Sequence, residues 1–164
     1  MNDSRVLLTA FRGSSSEQLI KYAKEFDSLI LPNDKVKDSD NLINKIIDGT
    51  YDYVFSFGQR PNIKNKVHIE TSARNGISSV ETSFDCVQLQ KYFELNGITA
   101  MISHNAGTSY CNCLYYNDLN YIQQNNLKTK MVFIHIPFLK NIFNKELFFA
   151  NIFKAISKIG DENK

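Results

Sequence analysis

Cysteine is scarce in this chain. The three residues Cys86, Cys111 and Cys113 are an odd number. Cys111 and Cys113 stand too close for an ordinary disulfide, and C-x-C without a second cysteine pair is a poor zinc signal. The pattern implies a reducing, cytoplasmic setting. Excess charge is also missing. The formal net charge is +2, and no Lys/Arg cluster stands out, which argues against a nucleic-acid partner. No apolar run approaches the length of a membrane span, so no membrane partner is expected. The opening "MNDSRVLLTAF" holds only a short apolar run, which reads as a strand and not as a secretory signal. No linker, repeat or composition break appears, so residues 1–164 read as a single domain.

What is present suits a packed core: 43% of residues are hydrophobic and 12% aromatic, enough to oppose disorder. Apolar strand-like runs alternate with segments of helical period. "RVLLTA" (5–10), "SLILP" (28–32), "YDYVFSF" (51–57, ended by Gly58), "KVHIETSA" (66–73), "ITAMIS" (98–103) and "KMVFIHIP" (130–137) read as strands. Between them, Ser14 and Glu17 have capping-box spacing ahead of the stripe Leu19, Ile20 and Ala23. "SDNLINKIIDG" (39–49) predicts a helix capped by Ser39 and stopped by Gly49. "SFDCVQLQKYFELNG" (83–97) predicts one starting at Ser83 and ending before Gly97. "SYCNCLYYNDLNYIQQ" and "NKELFFANIFKAISKIG" predict two more, and the stretches 61–65 and 76–79 read as irregular loops. The alternation implies an α/β fold: a three-layer domain with a mainly parallel or mixed twisted sheet flanked by helices, hydrolase-like in outline.

In such sheets, sites form beyond the carboxyl ends of strands. Cys111 follows the small residues Ala106, Gly107 and Thr108, which let a strand turn sharply into a helix. It falls near the helix N-terminus, where the dipole and unpaired N–H groups favour a thiolate and can hold an oxyanion. Cys113 lies two residues deeper, on another face, and reads as packing. Three histidines compete for the role of base. His135 alternates with Ile134 and Ile136 and faces the opposite side from both. His68 shares a strand face with Glu70, and His104 opens the cysteine turn. Glu70 reads equally as an orienting carboxylate or as one half of an ion pair. A cysteine, a histidine and a carboxylate at one sheet edge are the composition of a thiol hydrolase.

At these residues the sequence resembles the pyroglutamyl peptidase I family, the cysteine peptidases of family C15. The matching pieces, in the family's order, are "VLLTAF", "FGQ" (57–59), "IETSARN" (69–75), "AGTSYCN" (106–112) with "LYY" after it, and "FIHIP" (133–137). The resemblance implies Cys111 as nucleophile, His135 as general base and Glu70 as its orienting carboxylate. It further implies a lactam ring packed on Phe11, recognition through Gln59, a peptide substrate with N-terminal pyroglutamate, no metal or cofactor, and a homo-oligomer. This chain departs from the family in three places. "RGSSSE" follows Phe11 where the family has a second ring-facing phenylalanine. Thr71 stands where the family has an arginine after the glutamate, and "GISSVETS" replaces an arginine-bearing loop, for which Arg60 or Arg74 offers a substitute. Three functions are therefore weighed: a pyroglutamyl peptidase, a diverged thiol amidase of other small N-terminal groups, and a catalytically silent homologue that binds a small molecule or a protein.

Overall fold

Strands form where β-branched and aromatic residues crowd together, and helices where apolar residues recur every three or four positions. In the computed structural model, which describes residues 4–161, the strands are β1 (Val6–Phe11), β2 (Asp27–Leu31), β3 (Tyr53–Arg60), β4 (Lys66–Glu70), β5 (Ser72–Asn75), β6 (Ser78–Glu81), β7 (Thr99–Ser103) and β8 (Lys130–Pro137). The helices are α1 (Ser15–Tyr22), α2 (Lys37–Gly49), α3 (Cys86–Leu95), α4 (Tyr110–Gln124) and α5 (Lys145–Asp161). Six strands form the central sheet in the order β2-β1-β3-β8-β4-β7. β2, β1, β3 and β8 are mutually parallel, whereas β4 runs antiparallel to β8 and parallel to β7. The sheet is mixed, in keeping with the expected fold class.

Period-two alternation sends alternate strand residues to two separate cores. Leu8, Phe55, Val67 and Ile134 pack with α1, α3 and α5. Leu7, Phe11, Val54 and Phe133 pack with α2 and α4. Three layers result, with the sheet between two helical layers.

Several boundaries differ from expectation. β3 does not end at Gly58 but runs to Arg60, because its pairing with β8 continues to Arg60↔Pro137. "KVHIETSA" splits at Thr71 into β4 and β5, and residues 72–81 form a two-stranded hairpin that takes in most of the expected loop at 76–79. Ser39 does not cap α2. Asp34 does, its Oδ1 accepting the N–H groups of Val36 and Lys37 at 3.0 and 2.9 Å. Ser83 gives way to Asp85, whose Oδ1 accepts Gln88 N–H at 2.9 Å. An aspartate, five residues before Ser39 and two after Ser83, accepts orphan N–H groups where each helix actually begins. Ser14 caps α1 as expected, accepting Glu17 N–H at 3.4 Å, but the Glu17 carboxylate reaches back to Gly13 N–H.

Candidate active site

Strand parity assembles the site. Gly58 and Arg60 on β3, His68 and Glu70 on β4, and His135 on β8 all fall on the α4 side of the sheet, the same side as Phe11 and Cys111. In the β4–β8 ladder His68 stands opposite His135, and Glu70 opposite Phe133. Glu70 and His135 are thus diagonal neighbours on one face, within reach of two long side chains. His135 Nδ1 meets Glu70 Oε1 at 2.8 Å, with both side chains almost fully buried. Nδ1 is the donating nitrogen here, since an ionised carboxylate only accepts, and this leaves Nε2 as the basic end of the neutral ring.

Cys111 reaches the same place from α4. The helix begins at Tyr110 after N-cap Ser109, which makes no side-chain capping bond. The N–H groups of its first turn are therefore not claimed by a capping side chain. Cys111 lies over Gly58, and Gly58 is the β3 residue opposite His135. A Cβ at position 58 would stand 2.6 Å from Cys111 Sγ and 2.9 Å from Phe133 Cζ. Gly58 is thus explained by close approach and not by strand ending. Two further residues lock α4 in register. Tyr115, one turn on from Cys111 on the same helix face, donates its hydroxyl to the Glu70 carbonyl at 2.8 Å. Asn112 grips the Arg74 backbone at both ends, accepting its N–H at 2.9 Å and donating to its carbonyl at 2.8 Å. That pair ties the β5–β6 hairpin to the first turn of α4.

The electrostatics set the resting protonation. Burial pushes the Cys111 thiol up to about 12, against a downward pull from its own backbone N–H and from Arg60. Burial also lowers His135 below the ordinary histidine value, although the hydrogen bond to Glu70 acts the other way. Both shifts favour the uncharged thiol and the uncharged imidazole. An already-formed thiolate–imidazolium pair is disfavoured, because desolvation penalises both charges.

The other expected residues fall as follows. Phe11 lies in the same core cluster as Cys111, but it is only 6% exposed and packs against Phe133 with ring centroids 6.3 Å apart. Gln59 is exposed at the end of β3, and its Oε1 accepts Ser15 N–H at 3.0 Å. Its amide nitrogen is the end left for other contacts. His104 is exposed and pairs with Thr71 Oγ1 at 2.6 Å, while His68 Nδ1 lies 3.2 Å from Arg60 Nη1. Of the three histidines, His135 alone bonds a carboxylate. Cys113 is half-buried and turned towards α2, with Sγ 3.9 Å from the Lys35 carbonyl. Sequence reasoning missed Tyr115 and Asn112, and offered Arg60 only as a substitute for the family's absent arginine. Parity would have found Arg60 had β3 been carried two residues past Gly58.

The fold and site define a class: a three-layer α/β domain whose sheet face holds a buried histidine–carboxylate pair beneath a cysteine-bearing helix. The pyroglutamyl peptidase family profile matches residues 82–147, a stretch that holds Cys111 and His135 and begins after Glu70. Pyrrolidone-carboxylate peptidase 2 of Caldanaerobacter subterraneus is 33% identical over 126 residues, covering 63% of this chain and 61% of its own length. Pyrrolidone-carboxylate peptidase of Thermoanaerobacter sp. is 32% identical over 129 residues, covering 65% of this chain and 63% of its own. The chain thus spans about three fifths of the length of these curated relatives. The crystal structure of pyroglutamyl peptidase I from Bacillus amyloliquefaciens superposes with a TM-score of 0.85 at 18% identity, covering 99% of each chain. Pyrrolidone carboxyl peptidase from Thermococcus litoralis gives 0.79 at 19% identity, covering 98% of this chain and 96% of its own. The protein is a relative of the pyroglutamyl peptidases and shares their fold.

Proposed function

We propose that this chain is a cysteine exopeptidase that cleaves the amide bond after an N-terminal pyroglutamyl residue. The observation that carries the reading is the buried 2.8 Å bond from His135 Nδ1 to Glu70 Oε1, on the strand residue opposite the glycine over which Cys111 lies. Glu70 holds the imidazole with Nδ1 protonated, and Nε2 takes the proton of Cys111 as Sγ attacks the carbonyl carbon. The carbonyl π electrons move onto oxygen, which the N–H groups of the first turn of α4 receive. Collapse re-forms the carbonyl and breaks the C–N bond, and His135 gives its proton to the leaving amine. Water then attacks the thioester, with His135 again as base, freeing pyroglutamate and the thiol. Gln59, its oxygen held by Ser15, offers amide N–H groups to the lactam carbonyl.

The measurement is hydrolysis of a fluorogenic pyroglutamyl amide under reducing conditions. Release of the fluorophore, abolished in Cys111→Ala, is expected; an inert wild-type protein refutes the assignment. A second reading, an amidase for other small N-terminal groups, draws on the burial of Phe11 against Phe133, which leaves little of its ring to line a lactam pocket. Selective labelling of Cys111 without pyroglutamyl cleavage would favour it.

A further inference from the structure

The resemblance offers Arg60 only as a substitute for an absent arginine, yet this side chain joins three segments of the site. From the end of β3, its Nη1 lies 3.0 Å from Glu70 Oε1 on β4, the same oxygen that His135 holds. The same nitrogen is 3.2 Å from His68 Nδ1. Its Nη2 donates to the carbonyl of Asn105, in the turn between β7 and α4 that delivers Cys111. The arginine is largely covered, with 22% of its side chain exposed, and its carboxylate partner is fully buried. Among the described residues Glu70 Oε2 has no partner, and the bonds from Arg60 and His135 converge on Oε1. A planar guanidinium can serve a carboxylate and a carbonyl with two different nitrogens at once; a lysine ammonium offers a single point of charge.

We infer that Arg60 is a positioning residue for the proposed reaction: it fixes the Glu70 carboxylate for His135 and fastens the turn that carries Cys111 to the sheet. The inference rests on the thiol-hydrolase reading of the site. It gives the departure at Thr71 a physical explanation, since the cation beside Glu70 comes from the neighbouring strand and not from the residue that follows it. Its charge also acts on both partners, opposing protonation of His135 and favouring ionisation of Cys111. The groups facing His135 and Cys111 are Glu70 and His68 from β4, Arg60 from β3 and Asp38 from α2. Among these Arg60 is the permanent cation.

The test is the pH dependence of Cys111 alkylation by iodoacetamide, followed by peptide mass spectrometry, beside kcat/KM for the pyroglutamyl amide. In the wild type Cys111 reacts faster than Cys86 and Cys113. If it does not, the thiol-hydrolase reading itself fails. Arg60→Met should slow alkylation and lower kcat/KM about tenfold to a hundredfold, as expected for a loosened site. It should also move the acid limb of both profiles to higher pH, because His135 loses a neighbouring positive charge. Arg60→Lys keeps the charge and loses the double contact, so the limb stays near its wild-type position while the rate still falls. A wild-type rate in Arg60→Lys overturns the positioning role even if Arg60→Met does not fold. An unmoved acid limb in a folded Arg60→Met also overturns it, since a merely structural arginine would change stability alone.

Discussion

The two faces of the central sheet are built from the same strands and obey different rules. On the side of α1, α3 and α5, successive inward residues are apolar, with Phe57, Ile69 and Ile136 fully buried among Leu89, Phe93 and Ile152. On the side of α2 and α4 the apolar pattern is broken at chosen points. Thr9 donates to Ser56 at 2.8 Å, Gly58 lets Cys111 and Phe133 approach the strand closely, and Arg60, Glu70 and His135 form a hydrogen-bonded cluster. An apolar layer stabilises through area removed from water and is indifferent to which aliphatic supplies it. A buried polar cluster stabilises little, and each atom left unpaired in it, as at Glu70 Oε2, costs free energy. Its retention on one face alone separates the half of the molecule that holds the fold from the half that carries chemistry.

The comparison can be broken at either face. The largest effect is expected at His135. His135→Ala should lower kcat/KM by about a thousandfold or more while near-UV circular dichroism stays native, as removal of a catalytic base does elsewhere. A loss of less than tenfold would detach the cluster from the chemistry. On the opposite face Ile152→Ala should cost about 2–5 kcal/mol of stability through the cavity it leaves, measured by urea unfolding. Its rate per folded molecule should be unchanged, and a changed rate would erase the division of labour. Gly58→Ala tests the close approach of Cys111 to the sheet. Its methyl meets Cys111 Sγ and the Phe133 ring, and displacement of the sulfur by about 1 Å should cost roughly a hundredfold in kcat/KM.

Alkaline pH sharpens the contrast, because each face buries one thiol. Burial raises Cys86 to about 12 and Cys111 to about 12, above an unfolded value near 8.5. Each thiol keeps its proton longer folded than unfolded, so the stability it contributes is full below about pH 8.5 and is lost as pH rises towards about 12. Urea midpoints between pH 8 and 10.5 should therefore fall. The fall should be shallower in Cys86→Ala and in Cys111→Ala alike. A slope unchanged in Cys111→Ala would mean that its thiolate already exists in the fold. Cys113→Ala should do least, within about 0.5 kcal/mol of stability and with full activity; loss of activity in a folded variant would contradict its placement against α2.

The site was legible in pieces. Cys111 and His135 each carried a local signal: small residues before the cysteine, and a polar residue interrupting an apolar strand. The two cysteines of "CNC" separated as expected, one over Gly58 and one towards α2. Phe11 was expected to offer a ring face to a ligand, yet it turned into the core, because a neighbouring Phe133 gives it more apolar contact than solvent does. Gln59 was expected to serve recognition, and half of its amide is engaged in holding α1. The competing serine and aspartate caps at α2 and α3 could not be ranked without knowing where each helix meets the sheet.

By itself the sequence determined most of the strands and helices and which side of each sheet strand is polar, though not the break at Thr71 or the hairpin that follows it, since alternation and turn chemistry are local properties. Strand order and direction are not local. Only the tertiary structure decided that β4 runs against β8, placing Glu70 diagonal to His135, and that β3 lies on the other side of β8 with Gly58 and Arg60 in register. A carboxylate 65 residues away in sequence from its histidine is brought to it by sheet pairing, whose register is set by burial of whole strand faces and not by the residues that use it.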